Sequence, residues 1–282
     1  MGRRTIANTV SISGVALHSG REIAMTLSPA PSASGIVFRR GDIGVDIPAL
    51  WDRVAETQLG TVIAEGKAGV AVIEHLMAAI SGAEIDDLLV IVDGPELPIL
   101  AGDALSYLEL LTKAGIREQQ GARKAFKIRK TVSVEQGDAR ATLAPAETRE
   151  FDFEISFSTP AIGTQTMAWN FSREAFARDI APARTFGFLR DLEALNKKGL
   201  ARGASFENTL AIGEDSIINK SLVRFPDEFV RHKILDAIGD LALAGAVLIG
   251  RFEGRRSGHT LNNALLRALF ADPQNADEIF LS

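Results

Sequence analysis

Two short stretches hold side chains whose types and spacing could bind a metal ion and move protons: "RHKILDAIGD" at residues 231–240 and "VIEHLMAAI" at residues 72–80. In the first, His232, Asp236 and Asp240 recur every four residues, so a helix stacks them along one face. Ile234, Leu235, Ile238, Leu241 and Ala242 fall on the opposite side and supply an apolar stripe. A polar row opposite such a stripe is what any surface helix shows to water. It is also a metal face, because H-x-x-x-D sets an imidazole and a carboxylate one turn apart, the spacing by which H-E-x-x-H holds zinc. In the second stretch His75 follows Glu74 within a run that is apolar on nearly all sides. An ionised glutamate there is costly without a cationic partner. The bland alternative is a partly buried histidine beside a glutamate reaching for solvent. With His75 added, the set becomes two imidazoles and one carboxylate, leaving a fourth position for water. That is the composition of a catalytic zinc site, and Glu74 beside it is placed to act as general base.

The sequence has four histidines in all. His259, in "RRSGHTLNN" close to a helix start, is either a loop histidine or a general acid or electrostatic stabiliser tuned by an aspartate such as Asp240. Arg255 and Arg256 beside it can hold a phosphate or simply be solvated. His18, in "ALHSG" at an expected strand end, is a turn histidine or a substrate contact.

These residues need a framework, and the composition supports one. Hydrophobic residues make up 46% of the chain and charged residues 24%, which suits a substantial core and argues against disorder. A net charge of −5 argues against a general nucleic-acid binder. The absence of cysteine excludes disulfides, thiolate zinc sites and a cysteine nucleophile, and suits a reducing cytosol. The opening "MGRRTIANTVSISG" lacks the continuous apolar stretch of a signal peptide, and no window approaches the length of a membrane span, so neither is expected.

The first 50 residues alternate in polarity between Gly and Pro punctuation, which predicts strands and turns. "AGVAVIEHLMAAISGAEI" predicts a buried helix, "DDLLVIVDGPELPIL" a buried strand, and "DALSYLELLTKAGI" a second helix ending near Gly115. The polar, basic stretch around residues 117 to 127 is the expected domain boundary. Beyond it come a hairpin turning at Gln136-Gly137-Asp138 and an alternating strand, "FDFEISFS". Helices are expected at "SREAFARDI" and "FGFLRDLEALNKKG", then the His232 helix, a strand "AVLIGRFEG" and a last helix capped by Ser257. Strands followed by helices, twice over, suggest two α+β halves of similar build.

Taken in order, "IEHLMAAISG", "VDGPELPIL", "ARTFGFLRDLEAL", "RFPDEFVRHKILDAIGDLALAG" and "RSGHTLNNALL" resemble the UDP-3-O-acyl-N-acetylglucosamine deacetylases of lipid A synthesis, the LpxC family. The resemblance covers nearly the whole chain. It implies an α+β fold of two similar domains, each a β-sheet packed on helices, with the active site between them. A small β-α-β insert in the second domain would form a hydrophobic passage for an acyl chain. The first domain is then 1–120, carrying Glu74 and His75. The second is 128–282, carrying His232, Asp236 and His259, with the insert at about 190–215. The implied reaction is zinc-dependent hydrolysis of the N-acetyl group of an acylated UDP-N-acetylglucosamine, giving a free amine and acetate. The implied setting is a cytoplasmic monomer acting on a small molecule, with no nucleic-acid partner and no stable membrane insertion.

Residue by residue, the resemblance makes His75, His232 and Asp236 the Zn2+ ligands and Glu74 the base. His259 becomes the general acid or cationic stabiliser, hydrogen-bonded to Asp240, and Thr185 donates its hydroxyl to the oxyanion. Lys233 and Phe186 contact substrate, Phe157 stacks on uracil, and His18 and Ala204 join the substrate set. Arg256 falls where the family carries a basic residue, often lysine, for the diphosphate. Two departures stand out: Ala101-Gly102-Asp103-Ala104 where many members have DGSA, and Gly203-Ala204-Ser205 where many have GGS. The second bears on acyl-chain length. Two other classes use the same residues. A non-catalytic nucleotide-sugar-binding module needs Phe157 and Arg256 but neither Glu74 nor a metal. A phosphoester hydrolase could use the His/His/Asp set, but such enzymes usually employ two metals and more carboxylates.

Overall fold

The alternating N-terminal segments become sheet: Val10–Val15, Glu22–Pro29, Ile36–Arg40 and Val45–Pro48 join Leu88–Val92 in a five-stranded sheet. This computed structural model describes residues 2–281. Leu88–Val92 is the central strand, antiparallel to one neighbour and parallel to the other, and its Leu88, Val90 and Val92 are fully buried. Central placement explains its nearly continuous apolar sequence. A smaller sheet of Val54–Glu56, Val62–Glu65 and Ala68–Val70 leads into the first helix.

The helices are α1 (Glu74–Gly82), α2 (Leu105–Ala114), α3 (Arg173–Ala175), α4 (Leu189–Lys197), α5 (Glu228–Ala242) and α6 (His259–Ala271). Helices α1 and α5 pack on each other, and their backbones meet at Gly239. A Cβ there would lie 2.0 Å from the Glu74 carbonyl oxygen. Glycine inside a helix costs about 1 kcal/mol relative to alanine. Here it lets the helix that carries Glu74 and His75 touch the one that carries His232 and Asp236. Of the two readings of the polar row on α5, burial goes against the one in which it simply faces water. His232, Asp236 and Asp240 are as buried as Ile234 and Leu235 on the apolar stripe.

The second large sheet gathers around Val247–Arg255, which pairs with Ala139–Ala144, Arg149–Ser156 and Ile116–Ile128. The expected hairpin forms between Val132–Gln136 and Ala139–Ala144, with Gly137 in the left-handed region at φ +58°. Phe151, Phe153 and Ile155 point into the core as their alternation requires. The stretch expected as a domain boundary forms one 13-residue strand, Ile116–Ile128. Its first half pairs with Gly2–Ile6 and its second half with Ala276–Leu281. Its polar composition reflects the exposure of that first half rather than a lack of structure. The strand Ala276–Leu281 was not anticipated from the sequence.

Three local expectations are also corrected. The helix expected from residue 68 begins at Glu74. Ala68–Val70 is strand, and Val72 sits at φ +59°, a strained turn for a β-branched residue that no helix passes through. Phe186–Phe188 is strand rather than the start of a helix, and it pairs in parallel with Leu210–Ile212 across α4. This β-α-β unit is the insert. Ser257 does not cap α6: the cap position is Gly258, and the buried Ser257 Oγ has no hydrogen-bond partner.

Candidate active site

Helix α5 supplies His232, Asp236 and Asp240 on successive turns, and α1 brings His75 against them. The His75 and His232 rings meet edge to face with centroids 5.0 Å apart. Asp236 Oδ1 lies 3.3 Å from His232 Nε2 and 3.7 Å from His75 Nε2. The three donor atoms all fall within 4.8 Å of one another, and all three side chains are buried. The His232 ring is oriented from behind, because its Nδ1–H donates to the Ala183 carbonyl at 3.1 Å and leaves Nε2 facing Asp236. The Ala183 segment is held by its neighbour. Arg184 donates through both its backbone N–H and its Nε to Glu228 Oε1, each at 3.1 Å, and Glu228 is fully buried at the start of α5. That pair joins the "ARTFGF" and "DEFVRHK" segments. Two imidazoles and a carboxylate so arranged fit a zinc ion by ligand type, ligand number and mutual reach. His75 Nδ1 is buried with no hydrogen-bond partner, so on that side the ring is held by packing, while Nε2 faces Asp236.

Beside this set, the Glu74 carboxylate accepts the Thr61 backbone N–H at 2.9 Å. His259 Nδ1 lies 2.9 Å from Asp240 Oδ2, and its Nε2 is 4.0 Å from Asp236 Oδ2. Burial works against a charged His259, as does its place at the N-terminus of α6. The charge and hydrogen bond of Asp240, helped by Asp236 and Glu74, outweigh this and raise its pKa to about 9. His232 goes the other way, since burial lowers it to about 3 and keeps its imidazole neutral, as a metal ligand must be. Burial would raise the Asp236 pKa, but His232, Lys233, His75 and His259 hold this carboxylate well below its usual range. Lys233 is also raised despite burial, through its 2.7 Å contact with Asp236 Oδ2.

The cleft opens into a cavity of about 730 Å³. His18, Phe157, Thr185, Phe186, Lys233 and Ala204 all line it, together with Glu74, His75, His232, Asp236 and His259. The Phe157 and Phe186 rings lie edge to face, centroids 5.8 Å apart. His18 is placed by Glu96, whose buried carboxylate accepts the backbone N–H groups of His18 and Ser19 at 2.6 and 3.0 Å. The insert supplies the apolar end through Phe188, Leu192 and Leu195. Its return loop docks on the opposite wall, where Gly203 N–H donates to the Leu17 carbonyl at 2.9 Å. A Cβ at Gly203 would lie 2.2 Å from the Ala16 carbonyl oxygen, so this glycine is required by contact. Arg256 is not among the lining residues. It stands half exposed with φ +52°, 3.7 Å from Asp138 on the hairpin.

Thr61, Glu96, Arg184 and Glu228 were not legible in the sequence. Each acts through backbone groups or a buried pair, and neither leaves a spacing signature.

In comparisons with known proteins, residues 3–271 match a family model described as UDP-3-O-acyl N-acetylglycosamine deacetylase, LpxC. The curated UDP-3-O-acyl-N-acetylglucosamine deacetylase of Myxococcus xanthus (strain DK1622) is 47% identical over 273 residues, covering 96% of this chain and 87% of that protein. The protein of the same name from Pseudomonas entomophila (strain L48) is 44% identical over 282 residues, covering 99% and 93% of the two chains.

Proposed function

The chain belongs to the UDP-3-O-acyl-N-acetylglucosamine deacetylase family, and we propose that its cleft removes the N-acetyl group of an acylated UDP-glucosamine by hydrolysis. The protein is an enzyme of lipid A synthesis, and its products are acetate and a free amine. The observation that carries this reading is the joining of a His75/His232/Asp236 set to Glu74 on one side and the His259–Asp240 pair on the other. A nucleotide-sugar-binding module has no use for that arrangement.

The ion is zinc in this reading, held by His75, His232 and Asp236. When bound, it supplies a Lewis acid that polarises the amide carbonyl and acidifies water. Glu74, held by the Thr61 N–H, takes the proton from the attacking water. The Thr185 hydroxyl, on the cleft wall, donates to the oxyanion. His259 is cationic at neutral pH because of Asp240, so it stabilises the developing negative charge and delivers a proton to the departing amine nitrogen. Lys233 and Phe186 contact the substrate, Phe157 stacks on the uracil, and Arg256, which does not line the cavity itself, meets the diphosphate. The insert takes the acyl chain, with Ala204 narrowing its bore. The division into residues 1–120 and 128–282 belongs to this reading, with the strand Ile116–Ile128 shared between the two units. So does action as a cytoplasmic monomer. Among the described residues no helix is long and apolar enough to cross a membrane.

The test is product analysis on the acylated UDP-sugar with wild type and Glu74→Gln. Wild type should release acetate and free amine in equal amounts. Glu74→Gln should keep its metal and lose about 10²-fold or more in kcat. Binding without any acetate release would favour the non-catalytic module.

A further inference from the structure

Base and acid sit on different helices, Glu74 at the start of α1 and His259 at the start of α6, and one residue touches the hydrogen-bonding systems of both. That residue is Thr61, only 2% exposed and placed just before the strand Val62–Glu65. Its backbone N–H donates to Glu74 Oε2 at 2.9 Å. Its hydroxyl donates to Asp240 Oδ1 at 2.6 Å. Its carbonyl accepts from the Ile73 N–H at 3.4 Å, immediately before α1. Asp240 Oδ2 is taken by His259 Nδ1 at 2.9 Å and by Asn262 Nδ2 at 2.8 Å. The Thr61 hydroxyl therefore satisfies the remaining oxygen and fixes the rotation of the carboxylate that orients His259. The preceding residue is fitted to the same task. Gly60 has φ +145°, and a Cβ on it would lie 3.0 Å from Glu74 Oε1, so a side chain there would crowd the base.

We propose that Thr61 is a positioning residue that holds the proton acceptor and the proton donor of the reaction in one register, its backbone aiming Glu74 and its hydroxyl aiming the Asp240–His259 pair. The assignment rests on the reading of Glu74 and His259 as base and acid. A threonine serves because the hydroxyl is borne on a stiff, β-branched side chain. The two aims are separable, since replacing the side chain leaves the backbone N–H to Glu74 in place.

The test compares Thr61→Val, Thr61→Ala and Thr61→Ser with wild type in the zinc-loaded enzyme. It reads kcat and KM for acetate release separately, together with zinc content and the downfield proton resonance of His259 Nδ1–H. Thr61→Val and Thr61→Ala should lower kcat roughly 10- to 100-fold, the scale of a misaligned catalytic group. KM and zinc content should stay as in wild type, and the His259 resonance should shift. Thr61→Ser keeps the hydroxyl and should recover both rate and resonance. Thr61→Ala guards against the case in which the second valine methyl disrupts folding. Wild-type kcat in the valine and alanine variants overturns the proposal, and so do equal losses in all three. If wild-type protein released no acetate, the deacetylase reading would be the one to fall. The His259 resonance would then still decide on Thr61, and no shift in Thr61→Val and Thr61→Ala would overturn it.

Discussion

His259 is where opposing electrostatic effects meet: burial and a helix N-terminus disfavour its charge, and Asp240 at 2.9 Å favours it and wins. The sign of the pH dependence follows. If the protonated imidazole is the working form, kcat/KM must fall as pH rises through a pKa that the carboxylates push up to about 9. A zinc ion in the same cleft offsets part of that pull, so the alkaline limb lies at or below this value. Asp240→Asn removes the largest raising partner and should move the limb to lower pH while leaving the metal in place. A pH–rate profile of the two proteins checks this, and a limb that stays put would assign it to another group. At this scale the sequence was legible wherever chemistry imposes spacing. His232 and Asp236 showed through their one-turn interval, and Glu74-His75 through an improbable charge in an apolar run. Thr61, Arg184 and Glu228 did not show, because a backbone donor or a long-range buried pair has no local pattern.

Among the elements, the crossing of α1 and α5 decides whether a site exists, and Gly239 sets how closely they cross. Gly239→Ala gains about 1 kcal/mol of helix propensity. It also drives a methyl into the Glu74 carbonyl, and overpacking of this kind costs about 1–3 kcal/mol. We expect a net loss of stability and weaker zinc binding, because the proposed ligands come from both helices. Urea unfolding and a zinc titration read the two effects. Unchanged zinc affinity would mean that the helices separate without carrying His75 away from His232. Elements with strong periodicity were legible, as in the hairpin at Gly137 and the Phe151/Phe153/Ile155 strand. The misread ones share a cause. Ile116–Ile128 is a strand because of the partners on its flanks, and Phe186–Phe188 because Leu210–Ile212 lies alongside. Neither partner is visible from within the segment.

For the whole molecule, residues from position 18 to position 259 converge on one cleft supplied by a single chain. The α+β architecture and its repeated strand–helix order could be read from pattern, and the resemblance supplied the placing of the cleft between the halves. That Ile116–Ile128 forms one strand pairing with segments near both ends of the chain could not be read, since composition marks exposure and not connectivity. The deacetylation proposed for this cleft requires one zinc ion held by His75, His232 and Asp236. The most direct measurement is acetate release from the acylated UDP-sugar by protein stripped with a chelator and then titrated with Zn2+. The stripped protein should release negligible acetate, and recovery should saturate at one zinc per chain. Full activity in demonstrably metal-free protein would contradict that requirement.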